Sequence, residues 1–152
     1  MILVIDASVA IKWFVEEDLN EEAIALSECG YELVAPDLIF AGVANVLRRR
    51  VRLGHVVEKQ AAISVANLGR AFQRMVRLPT VIGEAFEKAA LLDHSVYDVI
   101  YLICALRQTD GILVTADKKF EAKAVASGFG ARVLSLEAAY ARFASPQEND
   151  NG

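Results

Sequence analysis

The chain has 152 residues, of which 55% are hydrophobic, and its 16 basic and 20 acidic side chains give a net charge of −4 at pH 7. This length predicts one domain, residues 1–145, followed by a short polar tail, residues 146–152, that we expect to be disordered. Nine glycines and three prolines, with this apolar content, exclude a collagen-like or intrinsically disordered chain.

Short apolar runs alternate along the chain with longer segments of helical period. The predicted strands are residues 2–5, 32–35, 77–81, 112–115 and 132–134. The predicted helices are residues 7–15, 19–29, 37–52, 55–75, 83–94, 96–108, 117–127 and 136–144. Continuous apolar strands separated by helices indicate an α/β protein whose parallel sheet is covered on both faces.

The beginning of the chain and its cysteines favour a cytoplasmic protein. Asp6 follows only four apolar residues, without a preceding basic segment, so a signal peptide is not expected. No charge-free apolar run approaches the roughly 20 residues that span a bilayer. Cys29 and Cys104 have no metal-binding or redox-motif spacing, which suits a reducing compartment.

Charge is distributed unevenly along the sequence. Residues 48–77 contain eight basic and one acidic side chain, a net charge of +7, whereas residues 1–47 carry −8 and residues 78–152 carry −3. The basic residues include a cluster at a predicted helix end, namely Arg48, Arg49, Arg50 and Arg52. Two interpretations stay open: a solvated helix end that complements the helix dipole, or a surface that contacts RNA phosphates.

Three aspartates occupy similar positions next to predicted elements. Asp6 ends the first strand, Asp117 follows the fourth, and Asp98 lies at the start of a helix, three residues after Ser95. Each has a structural interpretation as a helix cap, and Ser95 with Asp98 has the spacing of a capping box. Helix capping alone would require no chemistry at these positions.

The predicted sheet gives the same aspartates a second interpretation. Ligands of open parallel sheets bind beyond the carboxyl ends of the strands, where the strand order reverses. If the first and fourth strands are neighbours, Asp6 and Asp117 lie side by side, and the helix that starts near Asp98 can approach them. Clustered carboxylates repel one another, and oxygen ligands favour Mg²⁺ or Mn²⁺. Such ions promote hydrolysis of phosphate esters.

The chain resembles the PIN domain family, and within it the VapC-like toxins of bacterial toxin-antitoxin pairs. The matching segments are residues 4–9 (VIDASV), 35–48 (APDLIFAGVANVLR), 97–102 (YDVIYL) and 113–120 (LVTADKKF). They occur in the order that is typical of the family and extend over most of the chain. One such segment would be weak evidence, but four in order are specific.

The resemblance implies an α/β/α sandwich with a central parallel sheet of order 3-2-1-4-5 and a Mg²⁺-dependent endoribonuclease site. By position, Asp6, Asp98 and Asp117 correspond to the catalytic, metal-binding acids, with Ser8 and Thr115 as supporting hydroxyls. The resemblance also implies an RNA substrate, a cognate antitoxin and a homodimer.

One position departs from the family pattern. In the helix after Pro36, where the family has a glutamate, this chain has Gly42. Glycine provides no side chain for a metal or a water, and it costs about 1 kcal/mol in a helix interior relative to alanine. We therefore expect a weakened or inactive nuclease; the alternative structural interpretation is that Gly42 permits close backbone packing.

These observations favour a VapC-like ribonuclease that lacks one of its four site acids. The alternative is a non-enzymatic binding module with the same fold, which would bind an antitoxin or RNA. A response-regulator-like domain is less consistent, because the predicted third strand, residues 77–81, offers no phosphoacceptor aspartate. His55 and His94 have no nucleophile nearby in sequence, and neither is assigned a catalytic role.

Overall fold

The computed structural model describes residues 1–146. Within this part of the chain the strands are β1 (Ile2–Ile5), β2 (Glu32–Pro36), β3 (Arg74–Val76), β4 (Ile112–Thr115) and β5 (Val133–Ser135). The α-helices are α1 (Ala7–Ala10), α2 (Asn20–Ser27), α3 (Leu38–Arg52), α4 (Glu58–Asn67), α5 (Ile82–Leu92), α6 (Val96–Leu106), α7 (Lys118–Ala124) and α8 (Leu136–Ala139). The predicted disorder of the tail concerns residues that, from 147 onward, lie outside the described part.

The five strands form one parallel sheet of order β3-β2-β1-β4-β5. β1 lies at the centre, where Val4 is the partner of Val34 in β2 and of Leu113 in β4. From β1 the chain moves outward to β3, then crosses to β4 and β5 on the other side. Because such crossovers are right-handed, the helices of the two halves cover opposite faces of the sheet. The predicted α/β/α sandwich and its strand order are confirmed.

The core is built from β1, β4 and the apolar helix α6. Leu3, Val4 and Ile5 of β1 are fully buried. In α6, all seven residues from Val99 to Ala105 are buried, as expected for a helix that is apolar on every side. This helix contacts β1, β2 and β4, so the core fixes its first turn, which carries Asp98.

The third strand lies earlier in the chain than predicted. Residues 77–81 are not a strand, because Leu78–Thr80 forms a short 3-10 turn that contains Pro79. Proline lacks an N–H group for a sheet ladder, and its fixed φ suits the first turn of a helix. β3 instead pairs with β2 through Arg74–Val76. The predicted helix of residues 55–75 accordingly ends at Asn67 and is followed by a 3-10 turn, Leu68–Ala71.

Other boundaries shift by a few residues. The predicted helices of residues 7–15 and 136–144 each contain a four-residue α-helix that continues as a 3-10 or π turn. The final strand begins at Val133 rather than residue 132. As predicted, α3 and α4 follow each other without an intervening strand.

None of the helices in residues 1–146 is both long and apolar enough to cross a membrane by itself. The consecutive helices α5 and α6 meet the length and composition criteria only as a pair, and they are bent by 113° relative to each other.

Candidate active site

Asp6 lies at the carboxyl end of the central strand and is almost fully buried, with 5% of its surface exposed. Its Oδ1 accepts hydrogen bonds from Ser8 Oγ at 2.5 Å and from Val9 N at 3.2 Å. The second bond caps the N-terminus of α1, so the capping interpretation of Asp6 is confirmed. A cap needs only one carboxylate oxygen and does not explain why a charge is buried here.

Two hydroxyl groups connect Asp6 with the end of the neighbouring strand. Ser8 Oγ, which donates to Asp6, also accepts a hydrogen bond from Ala116 N at 2.9 Å. Thr115 Oγ1 accepts one from Asp117 N at 3.1 Å. Both hydroxyls were expected to support the site; in the structure Ser8 joins the end of β1 to the segment after β4, and Thr115 holds the backbone N–H of Asp117.

Burial raises the pKa of Asp6 to about 6, because the charged carboxylate loses its hydration. Hydrogen bonds from Ser8, Thr115 and Val9 lower this pKa, and the negative charge of Asp98 raises it further. Asp98 therefore lies within electrostatic range of Asp6. A carboxyl group held in this way is easier to ionise when a cation is nearby.

Asp117 and Asp98 differ in how their carboxylates are used. Asp117 caps α7, since its Oδ1 accepts a hydrogen bond from Phe120 N at 3.0 Å. Asp98 does not complete the predicted capping box, because Ser95 Oγ accepts from Tyr97 N rather than from Asp98 N. That part of the capping interpretation is wrong, and the carboxylate of Asp98 has another partner.

The partner of Asp98 is a residue to which the sequence analysis assigned no role. His94 Nε2 and Asp98 Oδ2 are joined by a hydrogen bond of 2.6 Å. One ligand atom each from His94, Asp98 and Asp117 lie within 4.8 Å of one another. Asp6 is not part of this group of three. The signal in the sequence was the short separation of four residues, which lets a side chain just before the N-terminus of α6 contact one in its first turn.

A cleft with a volume of about 540 Å³ opens beside Asp98. Its walls are formed by α3 and α6 and by Ala7 of α1, and they include Gly42, Asn45, Tyr97 and Tyr101. The Tyr101 hydroxyl faces this region, and burial together with the charges of Asp6 and Asp98 raises its pKa. Gly42 therefore lies on the same cleft as Asp98.

Gly42 is not required by close packing. A Cβ atom added there would lie 3.5 Å from Ala7 Cβ and 3.9 Å from Tyr101 Oη, which are ordinary van der Waals distances. The structure therefore gives no support to the close-packing interpretation. A longer side chain at this position would start in the wall of the cleft that contains Asp98.

The arginine cluster is divided between paired and unpaired side chains. Arg48 forms an exposed ion pair with Glu58 at 2.7 Å, and Arg50 pairs with Glu17 at 2.6 Å. Arg49 and Arg52 are exposed and form no ion pair within residues 1–146. Arg49 is seven residues after Gly42, or two turns of α3, so both lie on one face about 10 Å apart.

The donor set of this region fits a divalent cation. Asp98 and Asp117 have carboxylate oxygens within 4.8 Å of one another, and the buried Asp6 interacts electrostatically with Asp98. Carboxylate oxygens are the ligands that Mg²⁺ and Mn²⁺ prefer. The site is therefore a candidate acidic metal site at the carboxyl ends of β1 and β4.

Comparisons with known proteins agree with this architecture. The sequence model of a family described as "PIN domain" matches residues 3–126. A protein named ribonuclease VapC3, from Pyrobaculum aerophilum, is 30% identical over 125 residues, which are 81% of this chain and 95% of that protein. The crystal structure of PAE2754 from the same organism superimposes with a TM-score of 0.69 over 92% of this chain and 93% of that one, at 20% identity.

Proposed function

Because this chain belongs to the PIN domain family, we propose that it is a VapC-like endoribonuclease toxin, dependent on Mg²⁺ or Mn²⁺ and weakened by glycine at position 42. The observation that carries the proposal is the approach of Asp98 and Asp117 to within 4.8 Å beside the buried Asp6. The nuclease class is supported by the similarity to ribonuclease VapC3.

Asp98 and Asp117 would hold the cation, and Asp6 would join them directly or through water. A divalent cation bound there activates water and neutralises charge on a phosphodiester. Ser8 keeps the site in place, because its hydroxyl group connects Asp6 with the backbone after β4, and the Thr115 hydroxyl supports the backbone that carries Asp117. Asp6, with a pKa raised to about 6, holds its proton more readily in the metal-free protein than an exposed aspartate does.

Gly42 limits this chemistry. It lies on the cleft next to Asp98, where a glutamate side chain would add a fourth carboxylate. Without that group, one ligand or water-orienting acceptor is missing. We therefore expect the parent protein to bind the cation weakly and to cleave RNA slowly.

The proposed RNA surface continues from the cleft along α3. Arg49 and Arg52 are exposed at its end and free of ion pairs within residues 1–146, whereas Arg48 and Arg50 are paired with acids. Free guanidinium groups bind phosphates without first breaking an ion pair. Residues 48–77, which include this cluster, carry a net charge of +7 although the whole chain carries −4.

A second copy of the chain and a cognate antitoxin are the proposed protein partners. The face formed by α5 and α6 exposes 71% of Phe86 and 69% of Tyr97. It also contains an apolar groove of about 440 Å³ between Ile82, Leu38 and Ile100. This apolar surface supports a homodimer, and two free cysteines support a cytoplasmic location.

The decisive experiment measures cleavage of single-stranded RNA with Mg²⁺, with Mn²⁺ and with excess chelator. We expect slow cleavage that requires the metal and is lost in Asp98→Asn. Asp110→Asn is the control, because Asp110 lies in the turn before β4, at the amino end of the strand and away from the acidic site. Cleavage that persists in chelator, or in Asp98→Asn, would contradict the proposed mechanism.

Gly42 also favours a second candidate, a binding module without activity. In that case the parent protein and Asp98→Asn would be equally inactive, yet both would bind a coexpressed antitoxin or RNA. Activity that appears on restoring an acid at position 42 would reject this candidate.

A further inference from the structure

His94 lies in the turn between α5 and α6 and is held by neighbours that also shape the acidic site. Its side chain is 10% exposed, and its ring packs against the Phe120 ring with centroids 4.9 Å apart. Its backbone N–H donates to Ala89 O at 3.2 Å. The imidazole is therefore fixed in position before any ligand arrives.

The hydrogen bond between His94 and Asp98 suits an Asp98 that binds a metal. A carboxylate that binds a metal is ionised and can only accept hydrogen bonds, so in that state His94 Nε2 is the donor to Asp98 Oδ2. This contact uses one oxygen of Asp98 and limits rotation of the carboxylate. Asp98 is 34% exposed, and without this contact its side chain would have solvent in which to move.

The same contacts connect Asp98 to Asp117 on a different element. Phe120, whose ring supports His94, donates its backbone N–H to Asp117 Oδ1 at 3.0 Å. Lys123, also on α7, donates to the carbonyl oxygen of Asp93, the residue before His94. Helix α7 therefore contacts the turn that carries His94 at two points. Asp117 caps the N-terminus of the same helix.

We propose that His94 is a positioning residue that orients Asp98 and sets its separation from Asp117, so that the two carboxylates are arranged for a divalent cation. This inference rests on the metal site of the proposed function. Hydrogen bonds to metal-binding side chains typically change metal affinity by about 10- to 100-fold when they are removed. With Gly42 in place of a fourth acid, the affinity depends on the orientation of the remaining acids.

The test uses Mn²⁺ as the probe and compares His94→Phe with His94→Gln. Phenylalanine keeps an aromatic ring against Phe120 but removes the donor, whereas glutamine can place an amide N–H close to the position of Nε2. His55→Phe is the matched control, because His55 is exposed in the turn between α3 and α4. The readouts are the Mn²⁺ dissociation constant by electron paramagnetic resonance and the thermal unfolding of the metal-free protein.

We expect His94→Phe to weaken Mn²⁺ binding by at least about 10-fold while metal-free unfolding stays within a few degrees of the parent. We expect His94→Gln to stay within about threefold of the parent, and His55→Phe to equal it. Pulsed measurements of the bound Mn²⁺ should show no directly coordinated imidazole nitrogen in the parent protein.

Four results would overturn the inference. Equal Mn²⁺ affinity in His94→Phe and the parent would reject the positioning role while leaving the proposed metal site intact. Equal losses in His94→Phe and His94→Gln, or a coordinated imidazole nitrogen that disappears in His94→Phe, would show that the hydrogen bond is not the cause. If the parent binds no Mn²⁺, the proposed metal site fails and this inference fails with it.

Discussion

Polar groups have different roles at the carboxyl ends of the parallel strands, the carboxyl edge of the sheet, and at their amino ends, the amino edge. At the carboxyl edge, burial raises the pKa of Asp6 to about 6, and the charge of Asp98 raises it further. At the amino edge, the Arg132 guanidinium donates to three carbonyl oxygens, those of Gly111 at 2.6 Å, Ala105 at 2.7 Å and Gln108 at 2.9 Å. Arg132 provides hydrogen-bond donors to carbonyl oxygens in the last turn of α6 and in the turn before β4, whereas burying the charge of Asp6 costs free energy of folding.

Polar groups at the amino edge therefore stabilise the fold, whereas those at the carboxyl edge are arranged at the expense of stability. Helix α6 spans both edges, since its first turn carries Asp98 and its last carbonyls meet Arg132. Strain of this kind is typical of functional sites, because charges arranged for a ligand repel one another in its absence. Substitutions at the two edges should then have opposite consequences for stability and activity.

The largest effect is expected for Gly42→Glu, which adds a carboxylate to the carboxyl edge. A positioned acid or base contributes about 10²- to 10⁴-fold to catalysis, so we expect RNA cleavage to rise by at least about 100-fold, with growth arrest in cells. Thermal stability should rise mainly in the presence of Mg²⁺, because a fourth acid increases repulsion in the metal-free protein.

Gly42→Ala is the control, since it removes the glycine penalty without adding a charge. Both variants and the parent are compared with and without Mg²⁺. If alanine and glutamate act alike in cleavage and in metal-dependent stability, the missing-ligand explanation is wrong.

The next effect concerns the electrostatic cost of Asp6. Its pKa rises from 3.8 in the unfolded chain to about 6 in the fold, so the native state binds more protons between these values. Stability of the metal-free protein is then lost as pH rises through this range, by about 3 kcal/mol at 1.36 kcal/mol per pKa unit. Asparagine at position 6 still caps α1 but carries no charge.

Urea unfolding of Asp6→Asn and the parent, in excess chelator from pH 4 to pH 8, measures this cost. The stability advantage of the variant should grow with pH, whereas Asp18→Asn, at an exposed position, should show no such trend. If the difference in unfolding free energy between the parent and Asp6→Asn stays constant across this range, the buried charge of Asp6 does not destabilise the protein.

At the opposite edge, Arg132→Met should destabilise the protein by about 2 kcal/mol, because three carbonyl oxygens lose a charged donor. Mn²⁺ affinity and RNA cleavage should stay within about twofold of the parent at temperatures where both are folded. Arg142→Met is the matched control, since Arg142 is exposed and lies over the Phe143 ring. Loss of Mn²⁺ binding in folded Arg132→Met would show that the two edges are coupled.

The smallest effect concerns the basic extension of the carboxyl edge. Arg49→Ala should lower the slope of log affinity for single-stranded RNA against log salt by about 0.7, as expected for one lost phosphate contact. Arg48→Ala should change the slope less, because Arg48 is already paired with Glu58. The affinity for RNA is measured at several salt concentrations between about 50 and 200 mM, which gives the slope. Equal slopes in Arg49→Ala and the parent would favour the solvated-helix interpretation.

Most of the arrangement of strands and helices could be predicted from the sequence. Residues 3–5 and 112–114 are continuous apolar runs that are buried, and the structure makes their strands neighbours in the order predicted. The third strand was missed because Arg74–Val76 is a three-residue edge strand with only partial burial, so its pairing with β2 depends on the sheet itself. Local propensity carries little information about such a short edge strand.

For the candidate site, the sequence determined which residue types are present and where each lies relative to its strand or helix. Asp6, Asp98 and Asp117 stand at element boundaries, and Gly42 stands in a helix where no side chain can contribute. These features follow from local patterns, because caps and strand ends are set by neighbouring residues. Their catalytic roles stay predictions.

Only the tertiary structure decided which of these groups meet. The sheet order joins the ends of β1 and β4, and the packing of α7 against the turn before α6 brings Phe120 to His94 and Asp117 to Asp98. His94 and Phe120 are 26 positions apart, so no local pattern relates them. Such contacts arise because burying apolar surface fixes where each helix lies, and the polar side chains at its ends are carried to their partners by that packing.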